Sequence, residues 1–234
     1  MIRLISFLGN PGTGKTTIAR KIGEFYAKAG ILRKGHCIEV TRADLVGQYV
    51  GHTAPKTMAQ VRKALDGVLF IDEAYSLNSG NQNDFGNESI EMLVKVMEDY
   101  RDRLVIIFAG YPNEMHRFMQ MNSGLASRIP QVFHFPDFTQ EELGEILAGY
   151  AEREGYILPS QVREIAQKYL LWKKEQDETR FGNARTVRNL FRRMRTRLSQ
   201  RVLKVDRDII AENPDLLYSF EVTDLPIKVE SKLA

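Results

Sequence analysis

Gly9-Asn10-Pro11-Gly12-Thr13-Gly14-Lys15-Thr16 is the stretch whose reading decides this chain. The eight residues match G-x-x-x-x-G-K-[ST], in which glycines let backbone N–H groups curl around a phosphate. Upstream, Ile2-Arg3-Leu4-Ile5-Ser6-Phe7-Leu8 is apolar and reads as a buried strand. Downstream, Ile18, Ile22, Phe25 and Tyr26 fall at helical spacing and predict the apolar face of a helix. Strand, loop and helix form the context the motif requires, which separates it from an accidental Gly-rich turn. The candidate phosphate contacts are Asn10, Pro11, Gly12, Thr13, Gly14, Lys15, Thr16 and Thr17. The helix N-terminus adds about half a positive charge. Lys15 places an ammonium on the β- and γ-phosphates, and Thr16 offers a hydroxyl to Mg2+.

Gly67-Val68-Leu69-Phe70-Ile71-Asp72-Glu73-Ala74 is the second informative stretch. A short apolar run reads as a strand buried on both faces, and it ends in two adjacent acids. Behind a phosphate-binding loop, the first acid, Asp72, is expected to hold Mg2+ opposite Thr16. The second, Glu73, is expected to orient and deprotonate the attacking water. A strand ending in solvated acids would look the same in isolation; its place after the loop motif gives the pair its meaning.

Further strands are expected at His36-Cys37-Ile38-Glu39-Val40-Thr41, over 104–109, and at Val132-Phe133-His134-Phe135. Helices are expected from Pro55, over 88–99, and around 114–119. Five strands alternating with helices predict a three-layer α/β domain around a mostly parallel sheet, with the nucleotide at the C-terminal edge of the strands. The polar stretch from Asn78 to residue 87 reads as an exposed, mobile loop. After residue 137 the pattern becomes helical. Thr139-Gln140-Glu141-Glu142 is a capping box. A second helix is expected over 159–172, a charged loop over 173–180, and a third helix opening at Gly182-Asn183-Ala184-Arg185. The expected division is an α/β domain over 1–137, a small all-α lid over 138–205 and an irregular tail over 206–234.

Composition narrows the class. At 234 residues, 43% hydrophobic and 27% charged, the chain has the make-up of an ordinary globular protein. The single Cys37 excludes an internal disulfide framework and suits a reducing compartment; in an apolar strand it reads as a structural thiol. No run approaches the ~18 apolar residues of a membrane span, so no membrane role is expected. His36, His52, His116 and His134 show no ligand spacing, and no structural metal is expected. The net charge of +3 conceals an asymmetry: residues 179–205 hold many arginines and no acid.

Taken together, GNPGTGKT, LFIDEA, the arginine of Gly124-Leu125-Ala126-Ser127-Arg128-Ile129, and Gly182-Asn183-Ala184-Arg185 resemble an AAA+ ATPase in content and order. More narrowly, RKGHCIEVTRADLVGQYVGHTAPKT, GVLFIDEAYSL and FGNARTVRNLF resemble the CbbX/CfxQ group, which includes red-type Rubisco activases and stage V sporulation protein K proteins. The resemblance spans about residues 1–205. It implies an ATP-hydrolysing, homo-oligomeric ring, hexameric in the family, that remodels a protein substrate such as red-type Rubisco. It implies a cytoplasmic location, or the plastid stroma in a photosynthetic eukaryote. Arg128 matches the arginine finger that reaches a neighbouring subunit's γ-phosphate. Arg185 matches the second sensor, which ties the lid to that phosphate. Tyr49, Val50 and Gly51 match the pore loop whose aromatic grips an extended polypeptide.

Two departures accompany the resemblance. The first-sensor position falls in Gly110-Tyr111, where Asn or Thr is usual, so Tyr111 takes that assignment. Met1 lies inside the first strand, whereas family members carry a preceding helical segment; this implies a truncated chain, an incomplete gene model or a minimal variant. Two other functions compete. A nucleic-acid motor would use the basic helix carrying Arg188, Arg192, Arg193, Arg195, Arg197 and Arg201 to contact phosphates. A nucleotide-gated switch with negligible turnover is disfavoured by Glu73, a base poised for hydrolysis.

Overall fold

The computed structural model describes residues 4–78, 85–176 and 181–226. Ile2 and Arg3 of the first expected strand, 79–84 of the expected mobile loop, 177–180 of the charged loop and 227–234 of the tail lie outside them. The chain divides into two compact units, one of Met1–Asn10 and Gly14–Pro136, the other of Pro11–Thr13 and Asp137–Ala234.

The first unit is a five-stranded, all-parallel sheet. Its strands are β1 (Leu4–Gly9), β2 (Cys37–Val40), β3 (Gly67–Ile71), β4 (Leu104–Gly110) and β5 (Gln131–Phe135), in the order β2-β3-β4-β1-β5. The connections hold helices α1 (Lys15–Lys28), α2 (Arg42–Leu45), α3 (Thr53–Ala64), α4 (Gly86–Asp99), α5 (Pro112–Met121) and α6 (Ser123–Ala126). The two-residue side-chain period of a strand sorts the core. Leu69 and Ile71 of β3, with Leu104, Ile106 and Phe108 of β4, pack into one cluster with Val61, Leu93 and Phe118. Val68, Phe70, Val105, Ile107 and Ala109 turn to the opposite face, beside Ile5, Phe7 and Ala19. Strands buried on both faces must read as continuous apolar runs, and β3 and β4 do. β5 lies at the edge, so Val132 and Phe133 stay exposed.

The helix after the loop presents its expected face only in part: Ile22 and Tyr26 pack against the core, but Ile18 and Phe25 do not. Ile18 is 43% and Phe25 64% exposed, while Ala19 and Gly23 are buried. The reason is close packing. A Cβ on Gly23 would lie 2.2 Å from the Gly35 carbonyl oxygen, so small residues let the backbone approach. Smaller corrections follow the same logic. α3 starts at Thr53, ahead of Pro55, because the Thr53 hydroxyl accepts a bond from Gly47 N (3.0 Å). Residues 42–45, between the expected second strand and the helix expected from Pro55, form α2 behind a Thr41–Asp44 capping box.

The second unit holds α7 (Gln140–Arg153), α8 (Ser160–Gln176), α9 (Asn183–Val202) and α10 (Arg207–Glu212). The Thr139–Glu142 capping box forms, with Thr139 N donating to the Glu142 carboxylate at 2.8 Å. Leu143, Leu147, Val162, Ala166, Leu170, Val187, Leu190 and Phe191 make its core. α8 runs to Gln176, so Lys173 and Lys174 are helical rather than loop. Two basic residues in a last turn suit the negative helix end. The segment after Asp206 is not an irregular tail over its described part. It forms α10 and short 3-10 turns at Pro214–Leu217 and Val222–Asp224. Phe220 and Leu225 are buried in the same core.

Candidate active site

Parallel strands bring all their C-terminal ends to one edge. Phe108 pairs with both Ser6 and Ile71, so β1, β4 and β3 share a level there. Asn10, Asp72, Glu73 and Tyr111, each following a strand, therefore emerge along that edge, where ligands bind in open α/β sheets.

Gly14, at φ 93°, caps α1 in the left-handed region that favours glycine. The first turn of α1 holds no acid of its own to offset its partial positive charge. The Lys15 ammonium donates to the carbonyls of Gly9 (2.7 Å) and Asn10 (2.8 Å). Both carbonyls are neutral acceptors that an anionic phosphate would outcompete. Thr16 follows in the first turn and Thr17 is exposed. Within the second unit, Gly12 O accepts from Ala184 N (3.1 Å), and Pro11 O accepts from Asn183 Nδ2 (3.3 Å). Gly12 has φ 73°, and a Cβ there would stand 2.2 Å from Gly182 O. Thr13 is buried.

Asp72 continues the β2–β3 pairing, its N–H donating to Val40 O at 2.9 Å. Its Oδ1 accepts from Glu73 N at 3.1 Å. Glu73 sits at φ 49°, ψ 44°, a left-handed conformation that costs a side-chain-bearing residue ~1–2 kcal/mol. The chain turns sharply there, leaving the Glu73 carboxylate exposed beyond the strand end. A hydroxyl (Thr16) and a carboxylate (Asp72) are hard oxygen donors, the chemistry that suits Mg2+ completed by nucleotide oxygens. Tyr111 is the N-cap residue of α5, and its ring lies 6.0 Å from that of Tyr75. Burial, and then the Glu73 carboxylate, push the Tyr75 phenol up to about 12, so it stays protonated.

Arg128 follows α6. Its guanidinium donates through Nε (3.0 Å) and Nη2 (2.8 Å) to Glu98 of α4, and through Nη1 to Gly124 O (2.9 Å). Glu98, thirty positions away, carried no sequence signal. Tyr49 and Val50 are 67% and 83% exposed, with Gly51 at φ 79° closing the turn. In the second unit, Arg185 is exposed in the first turn of α9, its N–H donating to Gly182 O at 2.8 Å. Asn183 beside it was missed as a residue in its own right. It is fully buried at φ 46°. Its Oδ1 accepts from Phe138 N (3.1 Å), and its Nδ2 donates to Asp137 (2.8 Å). Asn directly after Gly is the clue that was available, because Asn tolerates positive φ.

The basic helix is largely committed internally. Arg188 meets the Tyr150 hydroxyl, Arg195 pairs with Glu154, Arg197 donates to Leu225 O, and Arg201 pairs with Asp224 and Glu221. Arg192 and Arg193 are exposed. Cys37 is half-buried, and burial pushes its thiol up to about 11, as expected of a structural thiol. No helix among the described residues is long and apolar enough to cross a membrane.

Comparison with known proteins follows these boundaries. Residues 5–137 match the family described as ATPase family associated with various cellular activities, and residues 139–233 match the AAA lid domain. A protein named CfxQ homolog from Galdieria sulphuraria is 44% identical over 222 residues, 94% of this chain and 72% of the relative. The chloroplastic ribulose bisphosphate carboxylase/oxygenase activase of Cyanidioschyzon merolae is 49% identical over 199 residues, 85% of this chain and 67% of the relative. Stage V sporulation protein K of Bacillus subtilis is 42% identical over 226 residues, 96% of this chain and 69% of the relative.

Proposed function

The chain belongs to the ATPase family associated with various cellular activities, followed by an AAA lid, and we propose that this ATPase works as a ring-forming motor that remodels another protein. The observation that carries this reading is the shared sheet edge. The phosphate-binding loop, Asp72 and Glu73 all leave the sheet there, and the exposed Tyr49 and Val50 stand on the same unit.

Residues 9–17 and Lys15 hold the triphosphate of ATP through backbone N–H groups and one ammonium. The Thr16 hydroxyl and the Asp72 carboxylate would hold Mg2+, which would supply charge neutralisation at the nucleotide's phosphates. Glu73 orients and deprotonates the attacking water. Tyr111 contacts the nucleotide as the first sensor, and Arg185 reads the γ-phosphate from the lid. Arg128 acts in trans, with the guanidinium of one subunit stabilising charge at the next subunit's site, worth ~10³–10⁵ in rate in comparable systems. In this chain Glu98 holds that guanidinium at two of its nitrogens, which limits its rotamer freedom before a neighbour docks. A ring, hexameric in the reading adopted here, is then needed for full activity, and Tyr49, Val50 and Gly51 grip the target polypeptide.

The first target to test is Rubisco, of the red type that the resemblance implies, because a relative of similar sequence is named as a ribulose bisphosphate carboxylase/oxygenase activase. The cytoplasm, or a plastid stroma, is the setting this implies. The engagement of Arg188, Arg195, Arg197 and Arg201 inside the second unit weighs against a nucleic-acid role for α9. The test is ATPase rate per subunit against protein concentration, for wild type and Arg128→Ala, with ribulose-1,5-bisphosphate in a second series. A rate that rises with concentration and collapses in the variant supports the ring. Stimulation by the sugar bisphosphate points to Rubisco. A flat rate indifferent to Arg128 removes the in-trans model.

A further inference from the structure

The loop bearing Tyr49 stands on a base fastened by side chains rather than by long elements. α2 is four residues long and is capped at both ends. At its start, Thr41 N donates to the Asp44 carboxylate at 2.9 Å. At its end, side chains of α3 take the carbonyls that a helix terminus leaves unpaired. Lys56 Nζ donates to Ala43 O (2.6 Å) and Val46 O (2.9 Å), and Thr57 Oγ1 donates to Leu45 O (3.0 Å). Gly47 N is tied to Thr53 Oγ1, and a Cβ on Gly47 would lie 2.6 Å from His52 Cβ. α2, Gly47 and the start of α3 are therefore tied into one hydrogen-bonded piece, next to the exposed Tyr49 and Val50.

Arg42, the first residue of α2, connects this piece to the segment behind the acid pair. Its Nη1 donates to Ser76 O at 2.6 Å. Ser76 lies in the 3-10 turn Ala74–Leu77, which follows directly on Glu73, and Ser76 N donates to Glu73 O at 2.8 Å. A path of short hydrogen bonds thus runs from the Glu73 backbone through Ser76 and Arg42 into α2. Gly86, at the start of α4, makes room for it: a Cβ there would lie 1.8 Å from Leu77 O and 3.0 Å from Arg42 Nη1. A charged donor to a neutral carbonyl makes a strong bond, and a planar guanidinium holds its direction better than a flexible ammonium.

We propose that Arg42 is a positioning residue that couples the state of the nucleotide site at Glu73 to the position of the Tyr49 loop. The inference rests on the roles proposed above for Glu73 and Tyr49. Arg42 touches neither nucleotide nor target and acts through Ser76. When the turn after Glu73 shifts, Arg42 carries α2 and the loop base with it. Without Arg42, the turn and the loop respond independently.

The test is amide hydrogen exchange on the intact chain as wild type, Arg42→Met and Arg42→Lys, each with ADP and with a slowly hydrolysed ATP analogue. In wild type, the exchange difference between the two nucleotides should appear in peptides covering 72–78 and in peptides covering 46–52. In Arg42→Met the difference at 72–78 should persist while that at 46–52 falls at least ~10-fold, equivalent to ~1.4 kcal/mol of coupling. Arg42→Lys, keeping a cationic donor, should fall between. An undiminished response at 46–52 in Arg42→Met overturns the inference. A loss of response in both regions, with a lowered Tm, makes Arg42 a structural brace and also overturns it. A wild type that responds at 72–78 alone overturns the Tyr49 role itself, and a wild type that responds in neither region counts against the nucleotide site.

Discussion

Replacing Arg201 by Met should destabilise the second unit by ~3–5 kcal/mol. The guanidinium donates to Asp224 through Nε (3.2 Å) and Nη2 (3.0 Å), to Glu221 through Nη1 (2.8 Å), and to Ser219 O through Nη2 (2.9 Å). These partners are unequal. Glu221 is half exposed, so its share is at most ~1 kcal/mol. Asp224 is 1% exposed. The bond it accepts from Glu221 N (2.9 Å) would survive the change. A buried carboxylate stripped of its cation costs ~3–5 kcal/mol, and this term sets the size of the effect. Met keeps most of the apolar stem, so packing loss contributes little. The hydrogen bonds to Asp224 also raise the arginine's own pKa, so the guanidinium stays charged. The assay is urea unfolding followed by Trp172, the single tryptophan, which sits in α8 of the same unit. With a urea slope of ~1–3 kcal/mol per molar, the midpoint should fall by at least ~1 M. Adding Asp224→Asn removes the stranded charge but keeps an acceptor for Glu221 N, and should recover most of the loss. A shift below ~0.5 M, or a double variant no better than the single, would refute the reasoning.

Glu73→Gln should bind ATP normally and lose ~10²–10⁴ in turnover; an equal loss of binding would make the residue structural. Lys15→Ala should abolish ATP binding, measured with a fluorescent nucleotide, and unaltered binding would sink the loop assignment. Asp66→Asn tests the far end of the sheet. The Arg103 guanidinium, bonded to both carboxylate oxygens (3.0 and 2.8 Å), holds the Asp66 carboxyl below its ordinary range. A depressed carboxylate stabilises the fold above its unfolded pKa, and that stability is lost as pH falls through the folded value. Asn tolerates the φ of 68° at this position, so the backbone is unchanged. The variant should lose ~1–3 kcal/mol at pH 7 and show a flatter fall of Tm below pH 4. A parallel acid limb would show that the pair is solvated.

Much of the fold was legible because its signals are local. β3 and β4 are buried on both faces, and only apolar residues satisfy that, so their sequence announces them. The Thr139 capping box needs residues three apart and can be read from either end. The face of α1 was legible at Ile22 and Tyr26 but misread at Ile18 and Phe25, for an equally physical reason. Hydrophobic periodicity favours Ile18 and Phe25, but Gly23 sets the face that packs, by letting its backbone approach Gly35. Whether a small residue marks a close approach or only a weak helix position depends on what lies across from it. The segment after Asp206 was read as irregular because Phe220 and Leu225 are too widely spaced to show a period. They are buried one at a time, from short turns.

The sequence alone therefore determined the motifs: a Gly-rich loop between strand and helix, which acid follows which strand, and in what order the pieces occur. Those properties belong to residue types at fixed short spacings, where backbone geometry leaves few choices. Only the tertiary structure decided the long-range pairings. It put Arg128 on Glu98, wrapped Arg201 around Asp224, turned Asn183 inward, and set Arg42 on the Ser76 carbonyl. Each joins residues far apart along the chain through a charged or polar side chain that would otherwise have been assigned to solvent. Such partners are selected by the packing of the elements that carry them, and no pattern along the chain encodes that packing locally.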